Sequence, residues 1–478
     1  MTLHDFLGLL GFLLPLIHIA GILHAVHAVM YVRTAQGAIA WAVSLVTFPY
    51  VAIPLYWVFG RNKFQGYVEL RRSGNRDVDE LTREIREAVS EHRVTPPSSL
   101  ERWYRPLVAM SGLPMTGGNH VRLLINGDQT FESMLKAIDE ARDYVLVQFF
   151  IVHNDRIGKV FQSALMRKAE EGVPVYFIYD EVGSRKLSTR YLKALRDSHV
   201  AVTEFDSTRG RGNRLQINFR NHRKLLVVDG REAFVGGLNL GDEYLLRTER
   251  FGAWRDTHLA VRGPAVQHLQ RSFVRDWYWA IRTIPTLRWE VEGGQGGTPV
   301  LVLASGPADP LETCELFFVN VINMARKRLW ITSPYFVPDE AVVRALQLAA
   351  LRGVDVRILL PDRPDHILVY LSAYSYYNEM HEAGVRLFRY EPGFMHQKVV
   401  LIDDHTAAVG TANLDNRSFR LNFETTVVVA ESDFASQVAK MLEADFAAAR
   451  EVHTDDYARR PLWFRAAVRI ARLLAPIQ

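Results

Sequence analysis

A short pattern of histidine, lysine and aspartate occurs twice in this chain of 478 residues, with every spacing kept. The first copy, HRKLLVVDGREAFVGGLN, begins at His222, and the second, HQKVVLIDDHTAAVGTAN, begins at His396. A duplicated unit of this kind predicts two similar halves related by a pseudo-two-fold axis, with one copy on each side of a shared cleft. The duplication therefore limits the fold to an internal repeat that brings both histidines to one site.

The repeat extends beyond the short pattern. The apolar run YVLVQFFIVHND (144–155) parallels RLWITSPYFVPD (328–339), and each is followed by a helical segment and a second strand-like run. The order strand, helix, strand, followed by more strands, is typical of an α/β fold with mixed sheets. We therefore predict an α/β fold with two pseudo-symmetric β-α-β repeats, residues 116–300 and 301–455, that form one cleft.

Two long uncharged runs occupy the N-terminus, residues 6–32 and 38–59. About 20 apolar residues span a bilayer, so both runs predict transmembrane helices, and residues 1–60 predict a membrane hairpin. A signal peptide would begin with lysine or arginine, and residues 1–5 contain neither. Only Arg33 lies between the runs and several cations follow the second, so the positive-inside rule predicts a cytoplasmic location for everything after Phe59 and for the N-terminus.

Two further segments flank the predicted repeats. Residues 61–115 have helical charge patterning followed by turn-rich sequence, and we interpret them as a connector. Residues 456–478 predict a basic amphipathic helix with Arg465, Arg469 and Arg472 on one face. This helix either binds anionic lipid headgroups or packs on the catalytic domain with its arginines in solvent.

The His-x-Lys pairs indicate phosphodiester chemistry. Residues two apart on a strand point to the same face, so His222 and Lys224 are expected to project together, as are His396 and Lys398. An imidazole can attack phosphorus or donate a proton at neutral pH, and an ammonium group stabilises the negative charge of the transition state. Cys314 is the only cysteine, which excludes a cysteine metal cluster, and we expect no metal and no cofactor.

Four more polar residues recur with the motif. Asn239 and Asn413 follow their histidines at the same spacing, and their amides are expected to bind phosphate oxygens. Asp229 and Asp403 belong to the pattern and are kept among the candidate catalytic residues. They follow four apolar residues along the strand, however, so we interpret them as structural groups that orient backbone or lysine.

Each half also contains a carboxylate that can orient its histidine. A nucleophilic histidine normally needs an acid that fixes its tautomer. Asp256 in WRDTH follows the first copy and Glu424 in NFETT follows the second, both within apolar, strand-like sequence. An unpaired carboxylate is costly in such surroundings, so we expect each acid to contact the histidine of its own half.

These residues resemble the phospholipase D superfamily, whose motif is HxKxxxxD with a glycine-rich ending and an asparagine. Within it, the chain resembles bacterial cardiolipin synthases of the two-span type. The resemblance covers nearly the whole chain and rests on these segments: GAIAWAVSLVTFPYVAIPLYWVFGRNKF, QFFIVHNDRIG, RNHRKLLVVDG, WRDTHLAVRGPAV, SPYFVPD, GFMHQK, ANLDNRSFRLNFE and RLLAPIQ. The first copy has Gly237 where a serine is common, whereas the second has Thr411, whose hydroxyl is expected to bind phosphate.

The resemblance implies transfer of a phosphatidyl group from one phosphatidylglycerol to another through a phosphatidyl-histidine, which gives cardiolipin and glycerol. It assigns the nucleophile to His222 and the acid/base role to His396. It also implies an enzyme of the bacterial cytoplasmic (inner) membrane that acts on anionic phospholipid and not on nucleic acid. Two alternatives remain: a membrane-bound phospholipase D that hydrolyses phospholipid to phosphatidic acid, and a phosphodiesterase or nuclease, which needs no membrane spans.

Overall fold

The computed structural model describes residues 3–60, 64, 67, 76–96, 98–205, 218–245, 251–291 and 297–478. The chain divides into two compact units, residues 1–73 with 207–219, and residues 74–206 with 220–478. Part of the predicted connector therefore lies outside the described residues. Of its described residues, Phe64 and Tyr67 belong to the first unit and those from residue 76 onward belong to the second.

The first unit contains three apolar helices, α1 (Leu3–Tyr31), α2 (Ala35–Thr47) and α3 (Pro49–Phe59). In the described part of the chain, one helix, Gly11–Tyr31, is long and apolar enough to cross a membrane. The second uncharged run is interrupted at Phe48, because a residue before proline disfavours helical geometry. The expected single second helix is therefore wrong, and helices of 13 and 11 residues take its place.

Histidines of α1 hold α3 beside it. His24 accepts a hydrogen bond from Trp57 Nε1 at 3.0 Å, and the Nδ1 atom of His27 lies 2.7 Å from the Tyr56 hydroxyl. These bonds satisfy imidazoles that would otherwise be costly among apolar helices.

The second unit alternates helices and strands. Its helices are α4 (Arg76–Ala88), α5 (Ser98–Ser111), α6 (Asn126–Glu140), α7 (Arg156–Glu170), α8 (Thr189–Asp197), α9 (Ala265–Ile281), α10 (Thr313–Met324), α11 (Glu340–Leu351), α12 (Ile367–Tyr374), α13 (Tyr377–Glu382), α14 (Asn416–Arg420), α15 (Ser432–Ala447), α16 (Thr454–Ala458) and α17 (Leu462–Arg472). Its strands are β1 (Thr116–Ile125), β2 (Val145–Phe149), β3 (Val175–Asp180), β4 (Ala201–Phe205), β5 (Arg220–Asn221), β6 (Leu225–Val228), β7 (Glu232–Gly236), β8 (Ala253–Arg255), β9 (Thr257–Arg262), β10 (Thr298–Ser305), β11 (Arg328–Thr332), β12 (Phe336–Val337), β13 (Asp355–Pro361), β14 (Arg386–Tyr390), β15 (Gly393–Met395), β16 (Val399–Ile402), β17 (Thr406–Gly410), β18 (Leu414–Asp415), β19 (Asn422–Val429) and β20 (Ala449–Glu451).

One large mixed sheet joins the two halves. Its order is β20-β14-β13-β11-β16-β17-β19-β10-β1-β9-β7-β6-β2-β3-β4, and β1 and β10 pair antiparallel at its centre. Outward from this pair, the first half runs β9, β7, β6, β2, β3, β4 and the second runs β19, β17, β16, β11, β13, β14. This order confirms the predicted mixed α/β class, and the two halves follow the same succession of strands.

The apolar runs of the sequence form the centre of each half. Strands β2 and β6 are buried along their whole length, as is β16 in the second half. Helices cover these strands on both faces, which is why their sequences are nearly continuous in apolar residues instead of alternating. Each half thereby has its own apolar core, one around Phe161 and Phe177 and one around Phe318 and Ile358.

The C-terminal helix α17 packs on the second half. Its residues Phe464, Val468 and Ala471 are buried in the core of that half, whereas Arg465 and Arg469 are exposed. The helix therefore packs on the second half through its apolar face, and Arg465 and Arg469 take no part in that packing.

Candidate active site

Neither motif histidine lies inside a strand, contrary to the sequence-based expectation. His222 and Lys224 lie between β5, which ends at Asn221, and β6, which begins at Leu225. Strand β5 pairs with β19 of the other half, with Asn221 opposite Phe423. The amide of His222 donates to the Phe423 carbonyl at 3.0 Å. This backbone pairing places His222 beside Glu424, the residue that follows Phe423 in the second half.

The second half repeats this arrangement. Strand β15 ends at Met395 and pairs with β8 of the first half, with Met395 opposite Arg255. The amide of His396 donates to the Arg255 carbonyl at 2.9 Å. This backbone pairing places His396 beside Asp256, the residue that follows Arg255 in the first half.

Each histidine therefore contacts the acid of the opposite half. The Nδ1 atom of His222 lies 3.0 Å from both carboxylate oxygens of Glu424. The Nδ1 atom of His396 lies 2.7 Å from Oδ2 of Asp256. The expected pairing within each half is wrong, because the register of the two short strand pairs places each histidine beside the other half's acid. Since a carboxylate only accepts, each Nδ1 carries the proton and each Nε2 is left for the substrate.

Three side chains of the second half hold Glu424 in place. The Thr411 hydroxyl donates to the Glu424 carboxylate at 2.5 Å, and Ser418 and the Asn422 amide donate to it at 3.0 and 3.1 Å. Thr411 also accepts from the Thr425 amide at 2.9 Å. Its one hydroxyl proton is thus directed at Glu424, so Thr411 contacts the acid and not, as expected, a phosphate position.

The position of Asp256 explains why residue 237 is a glycine. A Cβ atom at Gly237 would lie 2.0 Å from Oδ1 of Asp256, well inside contact distance. That oxygen also accepts from the Thr257 amide at 2.7 Å, so it is not free to move aside. A serine at this position would push the carboxylate away from His396.

Both lysines are buried beside the histidines. Lys224 Nζ donates to the His222 carbonyl at 2.7 Å, and Lys398 Nζ donates to the His396 carbonyl at 2.5 Å. Burial lowers the pKa of Lys224 well below its ordinary value and that of Lys398 to about 8. Within the described ranges, no group of three or more His, Cys, Asp or Glu side chains is arranged to hold a metal ion.

The imidazoles are neutral in this environment. Burial lowers the pKa of His222 to about 4, against the opposing charge of Glu424. Burial, followed by the charge of Lys398, lowers the pKa of His396 to about 4. Lys398 also acts on His222, and Lys224 also acts on His396. These mutual effects agree with the prediction that both His-Lys pairs belong to one site.

The two motif asparagines are buried near this site. Asn239 accepts from the Ile151 amide and donates to the Tyr244 hydroxyl, both at 3.2 Å. Asn413 donates through Nδ2 to Asp415 at 3.3 Å. Each side chain is fixed by these contacts and retains a second amide hydrogen.

The motif aspartates serve the backbone. The Asp229 carboxylate accepts from the amides of residues 142–144, just before β2. The Asp403 carboxylate does the same for residues 326–328 before β11. Both lie at the end of their strand away from the lysine, so the interpretation as backbone-orienting groups is confirmed.

Aromatic side chains surround the histidines. The Phe150 ring centre lies 4.9 Å from that of His222, and the ring of Trp254 lies 5.2 Å from His396. The Tyr244 hydroxyl lies 3.5 Å from His396 Nδ1. The ring centres of Phe394 and His396 are 6.0 Å apart. The sequence analysis did not find these residues, since Trp254 and Phe394 lie in strands too short to give a periodic signal and Phe150 and Tyr244 lie outside the strands.

Comparisons with known proteins agree with this arrangement. The family model described as "Cardiolipin synthase, PLD-like domain" matches residues 134–277 and 318–446, more than half of the chain. The chain is 50% identical to "Cardiolipin synthase A" of Pseudomonas putida (strain W619) over 98% of each chain. It is 51% identical to the protein of that name from Pseudomonas aeruginosa (strain LESB58), over 98% of this chain and 96% of the relative.

A solved structure shares the fold. The crystal structure of phosphatidylserine synthase from Haemophilus influenzae matches with a TM-score of 0.60 at 15% identity, and covers 79% of this chain and all of its own. At that identity the match supports the fold alone. With the family model and the near-full-length relatives, the chain belongs to the cardiolipin synthase family of PLD-like proteins.

Proposed function

We propose that this protein is a cardiolipin synthase that transfers the phosphatidyl group of one phosphatidylglycerol to a second, with release of glycerol. The observation that carries the proposal is the pair of crossed histidine–acid contacts, His222 with Glu424 and His396 with Asp256. Two oriented, neutral imidazoles in one site are suited to a two-step exchange in which one attacks and the other moves protons.

In the first step, Nε2 of His222 attacks phosphorus, a P–N bond forms, and the P–O bond to glycerol breaks. His396 gives a proton to the departing glycerol oxygen. A bound phosphodiester anion opposes the lysine charges that help to lower the pKa of His396, so substrate binding favours the imidazolium form. The resemblance to the superfamily supports His222 as the nucleophile.

In the second step, His396 takes the proton from a hydroxyl of the second phosphatidylglycerol. That oxygen attacks phosphorus, the P–N bond breaks, and His222 is released with cardiolipin. Lys224 and Lys398 stabilise the charge on the phosphoryl oxygens, and Asn239 and Asn413 donate their remaining amide hydrogens to them. Glu424 and Asp256 position the histidines, and Thr411 positions Glu424. The proposed chemistry uses no metal or cofactor.

The proposed setting is the bacterial inner membrane. Helix α1 crosses the bilayer, and α2 with α3 forms a second, interrupted span, so the chain is multi-pass. Their uncharged sequence supports this topology. The sparse charge at Arg33 and the cations from Arg61 onward support a cytoplasmic catalytic unit.

Aromatic groups favour a lipid acceptor over water. Phe150, Tyr244, Trp254 and Phe394 place apolar surface around the two histidines, which disfavours free water at the phosphatidyl-histidine. A hydrolytic phospholipase D would use the same histidines with an open, hydrated approach. A nucleic-acid substrate would have no use for the membrane helices.

Product analysis tests the proposal. The full chain in phosphatidylglycerol vesicles, without added metal, should give cardiolipin and glycerol in equal amounts by mass spectrometry. His222→Ala should give neither. Phosphatidic acid as the main product of the unmodified protein would contradict a synthase and identify a hydrolase.

A further inference from the structure

Helix α17 has three faces, of which the sequence analysis recognised two. One face, with Phe464, Val468 and Ala471, is buried, and a second carries arginines. The third face is apolar but points outward, because its positions lie on the side of the helix opposite the buried residues. Its exposed side chains are Leu462 (80%), Trp463 (71%), Ile470 (65%) and Leu473 (79%).

We call these four residues the α17 patch. Arg465 and Arg469 follow the neighbouring stripe of the same helix and are exposed. An outward apolar face beside a basic stripe is the pattern of a helix that lies in a membrane interface. Trp463 in the first turn fits this location, since tryptophan favours the boundary between lipid and water.

Helix α12 lies beside α17. The Tyr374 ring of α12 packs edge-on against Phe464 at 5.2 Å, and Arg460 donates to the Tyr374 hydroxyl at 3.4 Å. The first residues of α12, Ile367 and Leu368, are also exposed, at 59% and 48%. The exposed apolar surface therefore involves two packed helices and not a single end residue.

The start of α12 is also close to the active site. Asp365, two residues before Ile367, accepts a hydrogen bond from the Tyr335 hydroxyl at 2.6 Å. The charge of Asp365 also acts on Lys398. A surface seated at this end of α12 would therefore lie near Lys398 and the candidate site.

We propose that the α17 patch and the start of α12 insert into the interfacial layer of an anionic phospholipid bilayer, with Arg465 and Arg469 among the headgroups. This inference deepens the proposed function, on which it rests for the choice of an anionic lipid. Charge complementarity favours lipid as the occupant: arginines border the patch, and the proposed donor and acceptor are both anionic.

Site-specific quenching tests this contact separately from the membrane helices. In a Cys314→Ala background, since Cys314 is buried, Trp463→Cys carries an environment-sensitive fluorophore in the full chain in phosphatidylglycerol vesicles. The matched control is Lys193→Cys on α8, which is 75% exposed. Spin-labelled lipids should quench the label at 463 about threefold or more and leave the label at 193 unchanged. Equal quenching at both positions, or a shielded label at 463 as a protein partner would give, overturns the proposal.

Kinetics on two forms of substrate give the second test. The triple variant Trp463→Ser/Ile470→Ser/Leu473→Ser should make cardiolipin about tenfold more slowly on vesicles, yet within about twofold of normal on monomeric short-chain phosphatidylglycerol. The matched control, Leu348→Ser/Leu351→Ser, removes exposed leucines of α11 and should leave both rates unchanged. A triple variant that keeps its rate on vesicles, or loses both rates equally, overturns the proposal. Failure of the proposed function is distinct, because the unmodified protein would then make no cardiolipin from either form.

Discussion

At the scale of single residues, each histidine depends on a carboxylate that lies far away in the sequence and in the other half. Glu424 and Asp256 fix the Nδ1 proton of His222 and His396, respectively. Neither half therefore contains both a motif histidine and the acid that it contacts, and we expect a substitution of either acid to act on the histidine of the other half.

Because each acid contacts a different histidine, we expect substitutions of the two acids to affect different steps of the reaction. A phosphatidyl donor with a nitrophenolate leaving group needs no proton from His396 in the first step. We expect Asp256→Asn to retain a burst of nitrophenolate and Glu424→Gln to lose it by about 100-fold or more, because only Glu424 supports the nucleophile. Stopped-flow absorbance measures the burst. The opposite result would support pairing within each half.

The Thr411 hydroxyl provides a finer test of the acid's position. Thr411→Val removes the donor to Glu424 and leaves a buried carboxylate oxygen with one bond fewer. The cost of an unsatisfied buried group predicts a loss of about tenfold in kcat. The control Thr411→Ser keeps the hydroxyl and should stay within about threefold. Equal losses in the two variants would show that the methyl group, not the hydrogen bond, is important.

At the scale of strands and loops, short elements decide the geometry of the site. The sequence predicted β2, β6, β11 and β16, because long apolar runs and their duplication mark buried strands. It also identified His222 and His396, which a repeated spacing marks without any structure. It could not predict the crossing, since the exchanged strands are two and three residues long and their pairing is set by tertiary register.

The prediction of a single helix for the second uncharged run was wrong for a different reason. Pro49 stood in the sequence, and the restriction that it imposes on Phe48 divides the run into α2 and α3. Length and hydropathy alone do not register such a break.

The motif aspartates are the element-scale determinants of stability. Asp229 and Asp403 each bind three successive backbone amides and have positive φ angles of 54° and 51°. We expect Asp229→Ala to lower the free energy of unfolding by about 2–3 kcal/mol, because buried amides lose their acceptor. Denaturant titration measures the loss. The kcat of the folded variant should remain within about twofold, and a loss of kcat without a loss of stability would indicate a direct catalytic role.

At the scale of the whole molecule, the fused sheet buries several histidines that stay neutral. His268 on α9 is fully enclosed, and burial lowers its pKa from 6.5 to about 3. Burial also lowers the pKa of His258 to about 3. Below pH 6.5 these two histidines become protonated in the unfolded chain but stay neutral in the folded chain. The folded state is therefore most stable above pH 6.5 and loses stability as the pH falls toward 3.

Substitution of His268 should reduce this pH dependence. Its two ring nitrogens have no hydrogen-bond partner within the described part of the chain. We expect His268→Leu to be at least as stable as the unmodified protein at pH 7.5, and more stable by about 2 kcal/mol at pH 5. Thermal unfolding at the two pH values measures the difference. An equal change in stability at both values would mean that His268 takes up a proton in the folded state.

The central claim is that two halves of one molecule form a single site with a covalent intermediate on His222. The most direct measurement is to expose the full chain to labelled phosphatidylglycerol, quench at alkaline pH, and map the lipid adduct by peptide mass spectrometry. His396→Ala, which slows the second step, serves to accumulate the adduct when the donor carries a nitrophenolate leaving group. We predict an adduct on His222 alone, absent in His222→Ala. An adduct on His396 in the unmodified protein, or cardiolipin formation by His222→Ala, would contradict the account.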